Sequence, residues 1–270
     1  MNAPARLKTL VAITFTLGGS ATAMPAHVWP TGVTLPAGQP VDEAYRREFA
    51  MCDTAGTFHG TVGRYTHGCA SDPNAVTALR RLPGGAIAYV SKLAVDLDGS
   101  PFACGPGHGR MDQCPTTLML PDGRGGEVPV DADAVPYVVI PDDGPSDTAG
   151  PAEYAGEFMR KTGLHVGDFG VVIAAGRTVP VIVADTGPYS KLGEGSLALH
   201  RMLGRDQCTR RDDKGVCVAV VDDMTSISHD VTTILFRGSA RHDLTPNTIV
   251  AVTASEGLRL WKAYMRKHRA

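Results

Sequence analysis

Two apolar runs rich in β-branched residues, separated by a glycine turn, constrain the fold of this chain most strongly. Residues 168–175 read Asp-Phe-Gly-Val-Val-Ile-Ala-Ala and residues 179–184 read Val-Pro-Val-Ile-Val-Ala, and Gly176 and Arg177 break the pattern between them. Because β-branched residues favour strands and glycine favours tight turns, this segment predicts a buried β-hairpin. Asp185 follows at once and is therefore expected at the exit of the second strand.

A second acidic residue, Glu194, follows Asp185 across a glycine-containing turn. It stands just before a segment with apolar residues at 197, 199, 202 and 203, in which Ser196 can cap the first helical turn and Gly204 can end the last. Two carboxyl groups placed around one glycosidic bond are the usual acid and base of its hydrolysis. The simpler interpretation is structural, with Asp185 in a turn and Glu194 at a helix start.

Short strands dominate the rest of the pattern. The amphipathic segment 255–268 predicts a C-terminal helix whose cations lie in the last turns, and short helices are predicted at 42–50 and 153–161. The sequence therefore predicts a mainly β (α+β) protein with short peripheral helices and a C-terminal helix. Further predicted strands cover residues 85–90, 93–95, 136–140, 216–221 and 231–236.

The N-terminus has the pattern of a secretory signal. Arg6 and Lys8 precede an apolar stretch at 10–17 and three small residues at 21–23. No later segment approaches the roughly 20 apolar residues that a membrane helix needs. We expect a signal peptide at 1–23, an N-terminal extension at 24–84 and a catalytic domain at 85–270, in a protein that is secreted or periplasmic after cleavage.

The six cysteines fall into three local pairs. Cysteines of an exported protein usually form disulfides, and pairing of sequence neighbours would close three short loops. Six cysteines allow 15 connectivities, so this pairing depends on the short loops alone. A zinc site is the rival interpretation, but the chain has no Cys-x-x-Cys. The expected pairs are Cys52 with Cys69, Cys104 with Cys114, and Cys208 with Cys217.

The charge balance is mildly acidic. The chain carries 26 basic and 28 acidic residues, and loss of Arg6 and Lys8 with the signal peptide would leave a net charge of −4. This balance argues against nucleic acid as a partner and permits a cationic substrate. If the aspartates that precede the hairpin face one cleft, their potential would concentrate a polyamine-like sugar chain.

Residues 184–199, ADTGPYSKLGEGSLAL, resemble the signature segment of the fungal-type chitosanases of glycoside hydrolase family 75, in which an Asp-Thr-Asn/Gly turn is followed nine residues later by a Glu. Two further matches occur in the same order, at 95–99 (VDLDG) and 130–139 (VDADAVPYVV), so that the resemblance covers about residues 85–240. Gly187 and Pro188 stand where the family more often has Asn-Gly.

This resemblance implies an endo-acting glycoside hydrolase that cleaves β-1,4 linkages of chitosan or a related amino-sugar polymer with inversion and without a cofactor. We expect a monomer whose catalytic residues are Asp185 and Glu194. Our hypothesis makes Glu194 the general acid, its pKa raised by an apolar setting, and Asp185 the base that orients water; the reverse assignment stays open. The expected substrate-binding residues are Asp96, Asp98, Asp131, Asp133 and Tyr189.

The segment Asp96-Leu97-Asp98-Gly99 also has the beginning of a calcium loop. A Glu at the twelfth position is required, and position 107 is Gly, so no metal is expected.

The Asp-Thr-Gly turn is similar, over fewer residues, to the active-site segment of lytic transglycosylases and other double-psi β-barrel proteins. This likeness implies a six-stranded double-psi-like β-barrel core. It keeps peptidoglycan as an alternative substrate, cleaved by hydrolysis or by lytic transglycosylation. A non-catalytic glycan-binding barrel is a third hypothesis, which the presence of only two Trp weakens because such modules present aromatic faces.

Overall fold

The computed structural model of the chain describes residues 26–29, 31–41, 57–58, 61–62, 79–105, 114–143, 156–188, 192–221 and 225–268. The strands in these residues are β1 (Ala26–Val28), β2 (Thr34–Pro36), β3 (Gln39–Pro40), β4 (Thr57–Phe58), β5 (Thr61–Val62), β6 (Arg80–Arg81), β7 (Ile87–Asp96), β8 (Met119–Pro121), β9 (Glu127–Pro129), β10 (Tyr137–Asp143), β11 (Phe169–Ala174), β12 (Arg177–Pro188), β13 (Glu194–Ser196), β14 (Cys208–Arg211), β15 (Cys217–Val220) and β16 (Thr225–Phe236). The helices are α1 (Pro101–Cys104), α2 (Glu157–Thr162), α3 (Leu197–Met202) and α4 (Ile249–His268).

Six strands close into a barrel of mixed orientation. Their order is β13-β10-β12-β11-β16-β7, and a pairing between β7 and β13 completes the ring. β10 runs parallel to β12 and β13 runs parallel to β7, whereas the other neighbours in the ring are antiparallel. Because every barrel strand is paired on both sides, even the three-residue β13 is held in place.

Alternate residues of each strand point into the barrel and out of it. On β11, Val172 and Ala174 join the interior cluster, whereas Val171 and Ile173 join an outer cluster that includes Tyr264 of α4. Both faces of β11 are therefore covered, which explains why its sequence is a continuous apolar run. Each fully buried aliphatic side chain of this size contributes about 1.5 to 3 kcal/mol.

The predicted architecture is confirmed: the protein is mainly β, with a closed six-stranded barrel, a few short helices and a C-terminal helix. The predicted hairpin is present as β11 and β12, which pair antiparallel around Ala175 and Gly176. Several boundaries were wrong, among them those of the strands predicted at 231–236 and 136–140, which are β16 (Thr225–Phe236) and β10 (Tyr137–Asp143). The strands predicted at 85–90 and 93–95 are the single strand β7, because Ser91 continues the pairing with β16, and α4 begins at Ile249, ahead of the predicted position 255. The helix predicted at 42–50 lies outside the described residues.

Two of the expected disulfides are present, Cys104–Cys114 and Cys208–Cys217. Each closes a short loop and is expected to stabilise the fold by about 2 to 3 kcal/mol. The predicted pair Cys52 and Cys69 lies outside the described residues. In the part of the chain that the structure describes, no helix combines the length and apolar character needed to cross a membrane.

Candidate active site

The strand that carries Asp185 continues beyond its hairpin partner. Within β12, residues 177–182 pair with β11. The rest of β12 pairs with β10 as far as residue 188. Asp185 therefore lies within a strand, not at the strand exit that the sequence predicted. It pairs with Val139 at a register shift in which Ala184 is the extra residue. Such a bulge bends the strand and re-aims its side chains.

The carboxylate of Asp185 is buried and held at one oxygen. Only 4% of the residue is exposed. Its Oδ1 accepts hydrogen bonds from the backbone N–H of Thr117 at 2.8 Å, from the Thr117 hydroxyl at 2.8 Å and from the backbone N–H of Thr186 at 2.8 Å. Leu118 N–H also donates to the Ala184 carbonyl at 2.8 Å, so the segment containing Thr117 lies along β12.

Asp96 and Asp98 belong to the turn that ends β7. The backbone N–H of Asp98 donates to Asp96 Oδ1 at 2.9 Å, which fixes the Asp96 carboxylate against the backbone of this turn. Gly99 follows with φ +77°, and a Cβ at this position would lie 1.9 Å from the Val130 carbonyl oxygen. The turn thus requires glycine both for its conformation and for its closeness to the neighbouring chain.

Asp96, Asp98 and Asp185 form a buried carboxylate cluster. One oxygen from each lies within 4.8 Å of those of the other two. Burial raises the pKa of Asp185, against the lowering effect of its hydrogen bonds with Thr117, Thr186 and the Asp98 side chain. Because like charges this close cannot all ionise in a buried site, the cluster favours a retained proton or a bound cation. Three carboxylate oxygens are donors that Ca²⁺ or Mg²⁺ accepts.

Tyr137 lies against this cluster from β10. Its hydroxyl donates to the backbone carbonyl of Asp98 at 2.8 Å, and the residue is fully buried. Burial, and then the nearby carboxylates of Asp96, Asp185 and Asp98, raise the pKa of Tyr137 well above its ordinary value. The phenol therefore stays protonated at physiological pH and acts as a hydrogen-bond donor.

Glu194 lies on β13, between β7 and β10. It pairs with Val139 of β10 on one side and with Ala94 of β7 on the other. The chain enters this short strand through Gly193, whose φ is +79°, and a Cβ there would lie 2.0 Å from the Lys92 carbonyl oxygen. As predicted, Ser196 caps the following helix α3 through its hydroxyl.

Asp185 and Glu194 lie on the same face of the sheet, because Val139 is the register partner of both. Paired residues of neighbouring strands project from the same face, and two strand spacings of about 4.8 Å separate the two backbones. Oε2 of Glu194 lies 3.5 Å from the position that a Cβ would occupy at Gly187. Since residues two apart on a strand are about 6.8 Å apart, the Glu194 carboxylate lies within roughly 10 Å of the Cβ of Asp185.

Asp131 and Asp133 lie in the turn before β10. Asp133 accepts hydrogen bonds from Arg201 at 2.7 Å, from Arg211 at 3.0 Å and from Cys217 N–H at 3.1 Å. These contacts lower the pKa of Asp133 although burial alone would raise it. The residue therefore links the β14–β15 hairpin to α3, which is a structural role.

Asp131 uses Oδ1 to accept the N–H of Asp133 at 2.8 Å within its turn. Burial and the neighbouring Asp133 carboxylate raise its pKa. The structure does not place it in the cluster of Asp96, Asp98 and Asp185. Tyr189, the fifth expected substrate-binding residue, lies outside the described residues.

Sequence reasoning missed Thr117 and Lys92. Thr117 offers no local signal, because its contact with Asp185 spans 68 positions of the chain. Lys92 did offer a local signal, since it is a charged residue in the middle of an apolar strand. Only 3% of Lys92 is exposed, and strand alternation places it on the same face of β7 as Ala94 and Asp96.

Comparison with known proteins does not assign the chain to a family. No protein-family model matches the sequence, and no curated protein matches it. A β-barrel by itself supports many activities, so the site carries the evidence for function.

Proposed function

We propose that this chain is an exported, endo-acting glycoside hydrolase that cleaves β-1,4 linkages of chitosan or a related amino-sugar polymer. The observation that carries the proposal is the shared register of Asp185 and Glu194 with Val139, which places two carboxylates on one face of the sheet from strands on either side of β10. An inverting glycosidase needs its carboxyl groups roughly 6.5 to 9.5 Å apart, so that a water molecule fits beside the sugar. The strand spacing and the position of Glu194 near Gly187 are compatible with that range.

The environment of Asp185 favours it as the general acid. A general acid must still hold its proton near neutral pH, and burial raises the pKa of this carboxyl. Glu194 then serves as the base that takes a proton from the attacking water. This assignment reverses the roles that the sequence suggested, because the closely packed carboxylates surround Asp185 and not Glu194.

The arrangement and charge of the two carboxylates suit an amino sugar. Val139 lies between them in register, and Gly187, two residues after Asp185, presents no side chain near Glu194. Asp96 and Asp98 add negative potential beside Asp185. A protonated glucosamine unit would be attracted to this potential, whereas an anionic polymer would be repelled.

Product analysis tests the proposal. The mature protein, Asp185→Asn and Glu194→Gln are incubated with chitosan and, separately, with peptidoglycan, and the products are identified by mass spectrometry. Asp122→Asn is the matched control, because this exposed aspartate accepts hydrogen bonds from the N–H groups of Arg124 and Gly126 within its own turn. We expect glucosamine oligomers from the parent protein and the control and none from the other two variants. Proton NMR of the newly formed reducing ends should show the α-anomer first.

A second candidate is a wall-lytic enzyme that needs one acid. The observation that favours it is the retained proton expected at the cluster of Asp96, Asp98 and Asp185, because a lytic transglycosylase uses a single acid/base and lets a hydroxyl of the sugar replace water. Muropeptides with anhydro ends, lost in Asp185→Asn but retained in Glu194→Gln, would support this candidate. An absence of products from both polymers would favour the non-catalytic glycan-binding hypothesis.

A further inference from the structure

We infer that Thr117 is a positioning residue for the acid of this site: its N–H and hydroxyl hold Oδ1 of Asp185 as an acceptor, so that the transferable proton resides on Oδ2. The inference rests on the proposed function for its catalytic meaning. Thr117 is not proposed to touch the reacting atoms.

Three donors converge on a single oxygen of Asp185. They are Thr117 N–H, the Thr117 hydroxyl and Thr186 N–H, each at 2.8 Å from Oδ1. An oxygen that accepts three hydrogen bonds has no lone pair left for a proton, so a protonated Asp185 carries its hydrogen on the other oxygen. The hydroxyl of Thr117 also lies 2.7 Å from that of Thr186, which fixes its orientation.

The loop that presents Thr117 is anchored on both sides. Before it, the Cys104–Cys114 disulfide and a 2.7 Å hydrogen bond from Gly99 N–H to the Cys114 carbonyl tie the loop to the end of β7. Beside it, the Thr116 hydroxyl donates to the Leu118 carbonyl at 2.7 Å. Thr117 itself is exposed, so its side chain serves no packing role, and the loop can hold it against Asp185 without burying it.

Thr117 opposes the effect of burial on Asp185. Asp96 and Asp98 approach from the end of β7, Tyr137 approaches from β10, and Glu194 lies on the same face of the sheet on β13. Burial disfavours ionisation of Asp185, whereas its hydrogen bonds with Thr117, Thr186 and Asp98 favour ionisation. The Thr117 hydroxyl thus keeps the acid strong enough to give up its proton.

The test compares Thr117→Val, Thr117→Ser and Thr178→Val. Thr117→Val keeps the shape and the N–H donor but removes the hydroxyl, and Thr117→Ser restores the hydroxyl. Thr178→Val makes the same chemical change at an exposed position near the opposite end of β12. The first readout is the carboxyl pKa of Asp185 by NMR on aspartate-labelled protein. The second is the pH dependence of kcat/KM on chitosan or peptidoglycan, whichever is cleaved.

We expect Thr117→Val to raise the pKa of Asp185 and the basic limb of the activity profile by roughly one pH unit, since one hydrogen bond to a charged group is lost. Thr117→Ser should return both to the parent values, and Thr178→Val should leave both in place. A Thr117→Val protein that titrates like the parent, or a Thr178→Val protein that shifts as far, would overturn the inference. Full activity of Asp185→Asn would instead refute the proposed function, and the NMR titration would still decide the role of Thr117.

Discussion

Replacing Asp185 by asparagine should make the folded protein more stable at neutral pH while it abolishes activity. At the 4.8 Å upper limit of their separation and an effective dielectric constant of about 20, two ionised carboxylates would repel each other by about 3.5 kcal/mol. Asparagine removes this repulsion and still accepts the hydrogen bonds at Oδ1, although each weakens by about 1 kcal/mol without the charge. Because burial raises the pKa of Asp185 against these bonds and against its bond to Asp98, burial outweighs them. We expect a net gain of about 1 to 2 kcal/mol at pH 7.

The gain should depend on pH in one direction. A carboxyl whose pKa is raised on folding contributes stability that is complete below its unfolded pKa, 3.8, and that is lost as the pH rises through its folded pKa. The parent protein and Asp185→Asn should therefore be equally stable near pH 3. The advantage of the variant should appear and grow above that pH.

Thermal and urea unfolding at several pH values, with the disulfides intact, measure the effect. For a chain of this size, 1 to 2 kcal/mol corresponds to a Tm rise of about 3 to 6 °C. Asp122→Asn is the control of opposite sign, because backbone N–H groups of Arg124 and Gly126 lower the pKa of that exposed carboxyl. A less stable Asp185→Asn at pH 7, or a difference that does not change with pH, would refute the reasoning.

Three further changes test the supports of the site. Gly193→Ala places a methyl group 2.0 Å from the Lys92 carbonyl oxygen, at a residue whose φ is +79°. It should lower the free energy of unfolding by about 2 to 4 kcal/mol and displace Glu194. The two effects are measured as a lower urea midpoint and a lower kcat. Asp133→Asn removes ion pairs with two arginines and should cost about 2 kcal/mol at pH 7; because the pKa is lowered on folding, this loss should shrink as the pH falls below 3.8. The double change of Cys104 and Cys114 to serine should cost about 2 to 3 kcal/mol in urea unfolding and should leave an activity less sensitive to reductant than that of the parent protein.

Features set by neighbouring residues could be predicted from the sequence. The hairpin follows from β-branched runs around a glycine turn, and the start of α3 follows from the Ser196 hydroxyl, which accepts Leu199 N–H. The two described disulfides join cysteines only 10 and 9 positions apart. In each case the interaction that stabilises the feature lies within the segment that encodes it.

The set of residues that form the candidate site could not be predicted without knowledge of the closed barrel. Asp96 and Asp185 meet only because β7, β13, β10 and β12 are neighbours in the ring, and no local pattern specifies that order. The bulge at Ala184 could not be predicted from the sequence either, because it depends on the register between β10 and β12. The same motif that suggested Asp133 as a binding residue gave no sign of Arg211, which neutralises it from 78 positions away.

The strand that carries Glu194 is also the strand that closes the barrel. β13 has three residues and pairs with β10 on one side and β7 on the other. At its end the Ser196 hydroxyl donates to the Val135 carbonyl at 2.7 Å and accepts Tyr137 N–H at 3.1 Å, so one side chain joins β13 to β10. Any movement of β13 away from β10 would open the barrel and separate Glu194 from Asp185 in the same step. The distance between the two carboxylates is therefore coupled to barrel closure, whereas the orientation of Asp185 depends separately on the loop that presents Thr117.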